Sequence, residues 1–239
     1  MSRHAILTSE EHASLRVRTE HSAELGDAVM ASFTVPLEFR RIQHDFPILF
    51  RRDNETGRFS ALALLGFESG ENLFLEGSRW NADYKPLALS IQPFLLGRST
   101  QTDEPSQIHI DLDHPRVSTD GEGVLLFDSL GRPSPFLEQI GEMLAELDAG
   151  HRTSDAFFSA LTRYELLEPF WLDVELSDGS KHRMVGYHLI NEDKLRGLDA
   201  GAIAELHSEG HLMPIFMALA SLSNLPKLIA HKARRDGNA

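Results

Sequence analysis

Apolar and polar positions alternate in short stretches of the first half and around residues 170–190, and recur at helical spacing in segments from residue 134 onward. From Ala31 to Phe39, the residues Phe33, Val35, Leu37 and Phe39 alternate with Thr34, Glu38 and Arg40, which predicts a half-buried strand. Pro36 interrupts it and places it at a sheet edge or in an extended entry segment. The apolar run Phe46–Phe50, a turn at Asn54–Gly57 and the run Phe59–Phe67 predict a hairpin. Trp80 to Phe94, with Pro86 and Pro93, reads as irregular with one or two helical turns. Gln107–Leu112 and Val124–Phe127 read as strands separated by Pro115 and a Gly121–Gly123 turn. The clearest hairpin pairs Phe170–Leu176 with His182–Ile190 and turns at Asp178-Gly179, where glycine supplies the positive φ of a tight turn.

Helical spacing takes over from residue 134. Ser134 is the expected N-cap and Pro135 the first helical residue. Phe136, Leu137, Ile140, Met143, Leu144 and Leu147 form one apolar face, and Glu138, Glu142 and Glu146 the solvated one. Gly150 sits where a C-terminal cap belongs, which predicts that this helix ends there and a second runs from Ser154 to Leu166. Short helices are expected over Asn191–Leu198 and Asp199–Ser208, and a last one from Leu212 that Pro226 breaks near Asn224. The fold class is therefore α+β. Antiparallel hairpins occupy the first half and residues 170–190, and helices pack from 134 onward. The chain reads as one domain of 1–239, or as two lobes, a β-rich 1–130 and a helical 131–239 carrying a β-hairpin.

Composition narrows the chemistry. The 239 residues include 36 acidic and 23 Lys or Arg side chains, a formal net charge of −13. Such a surface repels phosphate backbones and anionic headgroups, which argues against nucleic acid and membrane partners. The local exception is the basic cluster Lys227, His231, Lys232, Arg234 and Arg235, expected to be a solvated helix end complementing the helix dipole. Without cysteine there is no disulfide, thiolate metal site or cysteine nucleophile. Charged residues throughout Met1–Met30 leave no apolar stretch of a secretory signal, and no window holds about 18 uninterrupted apolar residues. The expected setting is the cytoplasm.

Three groups of side chains have chemical potential. On a strand, His109, Asp111 and Asp113 share one face, with His114 next door, a donor set suited to a divalent metal. The structural alternative is the polar outer face of an amphipathic strand ending in an Asp-His-Pro turn. Trp80, Asp83 and Tyr84 pair aromatic rings with a carboxylate, suited to stacking on and hydrogen-bonding a planar or sugar-like ligand. The same rings equally serve as core plugs. The doublets Arg40-Arg41 and Arg51-Arg52 suit either an anion or ion pairing with the acidic surface. Walker, dinucleotide-binding, zincin and nucleophile-elbow motifs are absent.

Several phrases, in this order, resemble the bacterial SapC family from about Leu7 to His231. They are Val35-Pro36-Leu37-Glu38-Phe39-Arg40-Arg41, Gly70-Glu71-Asn72-Leu73-Phe74-Leu75, Arg79-Trp80 with Ala82-Asp83-Tyr84, His109 to Pro115, Ser134-Pro135-Phe136-Leu137, Asp178-Gly179 with Gly186-Tyr187, His211-Leu212 and Ser221-Leu222. The resemblance implies an association with bacterial surface layers and a functional neighbourhood of TonB-dependent receptors, flavin-dependent halogenase-like enzymes and cupin-like proteins. It supplies no catalytic residues. The expectation is a binding or accessory protein, with no resident cofactor, that engages a small molecule or a protein beside nutrient-uptake or tailoring enzymes. The alternatives are a metal-dependent enzyme using the His109 strand and a surface-layer component.

Overall fold

Asp53 closes the first hairpin: its Oδ1 accepts the N–H groups of Glu55 (3.0 Å) and Thr56 (2.6 Å) and the hydroxyl of Thr56 (2.8 Å). Gly57 then adopts φ +70°, a conformation most side chains avoid. The computed structural model describes residues 3–97, 107–118, 120–175 and 181–237. Its principal strands are β1 (His4–Ile6), β2 (Ala31–Thr34), β3 (Ile48–Arg52), β4 (Phe59–Leu64), β5 (Phe94–Gly97), β6 (Gln107–Asp111), β7 (Leu167–Glu175) and β8 (Lys181–Ile190). Its principal helices are α1 (Phe39–Asp45), α2 (Pro135–Arg163), α3 (Glu192–Arg196), α4 (Ala200–Ser208), α5 (Leu212–Ser221) and α6 (Leu225–Gly237). The α+β class holds, with antiparallel sheets and helices from 135 onward.

The chain divides into two interleaved units. One comprises Met1–Ala28, Leu75–Trp80 and Leu87–Ala149; the other comprises Val29–Phe74, Asn81–Pro86 and Gly150–Ala239. The first carries the antiparallel sheet β1-β6-β5 and a second small sheet in which Arg16–Val17 lies between Val117–Ser118 and Val124–Leu125. Its core gathers Val17, Ile91, Phe94, Ile110 and Leu126 against Leu137, Ile140 and Leu144 of α2. Ser134 caps that helix, its hydroxyl accepting the N–H of Leu137 at 3.3 Å.

The second unit is built on a five-stranded antiparallel sheet in the order β7-β8-β3-β4-β2. Helix α5 packs against α1 and across β3 and β8. Phe39, Phe46, Phe50 and Phe157 are fully buried there, with Phe39 edge-on to Phe157 at 6.0 Å and Phe46 edge-on to Phe74 at 4.6 Å. In the β7–β8 hairpin, Trp171 faces two residues, Val185 and Gly186, where the register shifts, and Gly186 takes φ +84°. This is a β-bulge, and Trp171 and Val185 are exposed beside it. The expected turn at Asp178-Gly179 and the polar stretch Ser99–Ser106 lie outside the described residues.

Three expectations change. The strand read over Ala31–Phe39 stops at Thr34, and Pro36–Glu38 is a 3-10 turn leading into α1. Proline fits a first helical position because it has no N–H to leave unpaired. Phe39, Ile42 and Phe46 are all fully buried at helical spacing, which outweighs the shorter alternation before them. Second, α2 continues through Gly150 to Arg163. A Cβ at residue 150 would lie 2.4 Å from Cγ2 of Val35. Glycine is there for close packing, and a helix interior accepts it at a cost of about 1 kcal/mol. Third, the basic C-terminal cluster is not wholly solvated, because Lys232 is buried and paired.

The run Leu212–Gly237 is long and apolar enough, by length and composition, to cross a membrane. In this fold it is broken into α5, a 3-10 turn over Leu222–Asn224, and α6. Its inward side chains Ile215, Ala218, Leu228 and Lys232 are buried.

Candidate functional site

Helix α1 delivers Arg41, His44 and Asp45 to one place because they are three to four residues apart, one helical turn. The segment Asn81–Pro86 of the same unit brings Asp83 and Tyr84 to them. The Nε2 of His44 lies 3.4 Å from Oδ2 of Asp83, and Oδ2 of Asp45 accepts the N–H of Tyr84 at 3.2 Å. Ligand atoms of His44, Asp45 and Asp83 all fall within 4.8 Å of one another, the sole such group of three among the described residues. The guanidinium carbon of Arg41 sits 5.1 Å from the centre of the Tyr84 ring, in cation–π range.

A buried carboxylate fixes this arrangement from below. Glu38 is fully buried; its Oε2 accepts the Thr34 hydroxyl at 2.7 Å and its Oε1 the Tyr84 hydroxyl at 2.8 Å. A buried carboxylate is stable only when hydrogen-bonded, so Glu38 sets where the Tyr84 ring stands. His44 and Asp83 are exposed, so the face is open to solvent.

The other sequence candidates are dispersed. Arg40 is exposed on α1. Trp80 belongs to the first unit, where its ring lies 5.9 Å from that of His21. Arg52 covers Phe59 at 5.9 Å and donates to the Gly57 carbonyl at 3.2 Å, a structural use of that basic doublet.

In the first unit, β6 ends at Asp111, so Asp113 stands in the turn beyond the strand. The Oδ1 of Asp111 accepts the N–H groups of Arg3 (3.2 Å) and Asp113 (3.1 Å), and the exposed Asp113 carboxylate lies 3.7 Å from Nε of Arg3. The His109 ring lies over Gly97 of β5, where a Cβ would come within 2.0 Å of Nε2. His114 accepts the N–H of Arg116 through Nδ1 at 3.2 Å. Burial pushes the His114 imidazole below its ordinary value; the Arg116 cation adds to this, while Asp111 and Asp27 oppose it. These four side chains are thus distributed among a strand pairing, an Asx turn and a loop anchor.

Two buried charge pairs were not legible beforehand. Arg116 donates to the carbonyls of Arg18 (3.0 Å) and Glu20 (2.9 Å) and to the buried carboxylate of Asp27 (2.7 Å). In the second unit, Nζ of Lys232 reaches Glu71 at 2.8 Å and Glu68 at 2.9 Å, and Glu71 also accepts the N–H of Phe67 at 2.8 Å. Burial alone disfavours the ammonium, but the hydrogen bonds it donates to Glu71 and Glu68, with the charges of Glu71 and Asp236, raise the Lys232 pKa. Lys232 reads from sequence as part of a solvated helix end, and no local pattern singles out Arg116. Only the tertiary fold gives them partners.

The SapC family matches residues 7–228 of the chain. No curated protein and no solved structure matches it.

Proposed function

The chain belongs to the SapC family, and we propose that it is a binding or accessory protein whose recognition face is the exposed end of α1. The convergence of His44, Asp45 and Asp83 within 4.8 Å carries this reading. One imidazole and two carboxylates form a donor set for a divalent cation of the manganese, iron or zinc kind. The adjoining Arg41–Tyr84 pair offers a flat cationic platform to the ligand or partner that the cation would engage. A face this open holds and presents a ligand; it does not exclude water from a reacting centre, which supports binding over catalysis.

Calorimetric titration of the metal-free protein with manganese(II), iron(II) and zinc(II) tests the proposal. Stoichiometric binding that is lost in His44→Ala and retained in His109→Ala is the expected result. Loss in His109→Ala instead would move the site to β6 and favour a metal-dependent enzyme. Identical weak heats in all three proteins would remove the cation. The cytoplasmic setting, beside nutrient-uptake or tailoring systems of the TonB-dependent receptor and flavin-dependent halogenase-like kinds, is part of the same proposal. Recovery of the protein from the outer surface of intact cells would replace it with a surface-layer role.

A further inference from the structure

The first unit contains a cavity of about 420 Å³ where the end of β1, the start of β6 and the first two turns of α2 meet. Its walls are Ile6, Leu7, Ile108, Phe127 and Leu137, and among the described residues Glu138 is the one charged side chain lining it. Phe127 and Leu137 are buried, whereas Glu138 is exposed at the rim.

Gly141 shows that the space is kept open. It lines the cavity from inside α2, one turn after Glu138. A helix-interior glycine costs about 1 kcal/mol relative to alanine, so it needs a reason. Gly150 has one, a Val35 side chain that a Cβ would strike. At Gly141 a Cβ would meet a single neighbour, Cδ1 of Ile108, at an ordinary 3.7 Å. Among the described residues, a Cβ would fit there without a clash. Its missing side chain leaves the pocket wider than alanine would.

We propose that this cavity is a binding site for a small amphiphilic amine, an aliphatic or aromatic body carrying one ammonium group. Volumes of about 300–1,000 Å³ with apolar walls and few polar groups characterise small-molecule sites. The apolar body fills the space between Ile108, Leu137 and Gly141, and the ammonium pairs with the Glu138 carboxylate. The net charge of −13 favours a cation and disfavours the matching carboxylate or phosphate. This site is independent of the α1 face and stands whether or not that face takes a cation.

The test is a titration of the isotopically labelled full chain with n-octylammonium, n-octanol and octanoate, followed by backbone amide shifts in NMR. Saturable shifts centred on Leu7, Ile108, Leu137 and Gly141, with affinity falling from amine to alcohol to carboxylate, are expected. Glu138→Gln should weaken the amine by about three-fold and leave the alcohol unchanged, the size of a solvent-exposed charge pair. Gly141→Leu should abolish binding of all three, because its side chain occupies the cavity, while the melting temperature holds or rises. A binding loss accompanied by a lowered melting temperature is excluded by repeating the titration on Gly141→Ala, which should fold and still bind. The proposal is overturned if no probe saturates, if octanoate binds best, if the shifts scatter over the molecule, or if folded Gly141→Leu binds like the wild type.

Discussion

Gly150→Ala separates two roles that a glycine near residue 150 can play. In a helix interior the substitution gains about 1 kcal/mol from propensity alone. Against this, the new Cβ would lie 2.4 Å from Cγ2 and 2.9 Å from Cβ of Val35, which is 6% exposed. Val35 has a single stiff χ1 and little room to retreat. Overpacking of this kind costs about 1–3 kcal/mol, so the net effect ranges from neutral to a loss of about 2 kcal/mol. Val35→Ala alone removes two buried carbons, a loss of about 1.6 kcal/mol at ~0.8 each before any cavity. In the double variant the alanine at 150 occupies space that Val35 vacated. It should therefore be more stable than the sum of the single effects by about 1–3 kcal/mol. Urea melts of the four proteins give the cycle. A gain of about 1 kcal/mol for Gly150→Ala, additive with Val35→Ala, would show that the close approach does not exist. A glycine capping a helix end would lose stability on substitution without coupling to Val35.

Three further outcomes follow from the same structure. Leu144→Ala should cost about 2–5 kcal/mol, since Leu144 is 2% exposed, whereas the exposed Glu142→Ala should change stability by under about 0.5 kcal/mol; equal shifts in urea midpoint would overturn the helix facing. Lys232→Met should cost about 3–5 kcal/mol because it leaves the Glu71 carboxylate buried without its cation, and adding Glu71→Gln should restore much of the loss; an unchanged thermal melt for the single variant would refute the pairing. Burial lowers the pKa of His114, His188 and His211, so the unfolded chain binds more protons than the folded one below the ordinary imidazole value of 6.5. Stability is complete above that value and falls as pH drops through the depressed ones, less steeply in His114→Asn, whose amide oxygen can accept the Arg116 N–H; a flat urea midpoint between pH 8 and 5 would contradict this.

The sequence yielded what short-range physics decides. The β3–β4 hairpin followed from the turn residues Asn54–Gly57, and the structure adds the Asx turn at Asp53 that closes it. The Ser134-Pro135 start of α2 followed from capping chemistry within one turn. Gly150 misled because a cap and a packing gap require the same residue, and only Val35, distant in sequence, tells them apart. The recognition face was half visible. Arg41, Asp83 and Tyr84 were named from their chemistry, but His44 and Asp45 were not, since nothing in α1 alone says that residues 81–86 return to it. Conversely, Trp80 was grouped with Tyr84 because they are four residues apart, yet the unit boundary falls between them.

The Lys232–Glu71 pair has a consequence for the order of events during synthesis. Glu71 emerges from the ribosome first, and the ammonium that neutralises it follows 161 residues later. Until then the carboxylate can stay hydrated only if the loop from Gly66 to Phe74 remains open to water. The second unit thus cannot bury Glu71 among its early strands until Lys232 is available to it. Its final consolidation waits on one side chain of α6, and a chain stalled before Lys232 would expose the Phe46–Phe74 contact to chaperones and proteases.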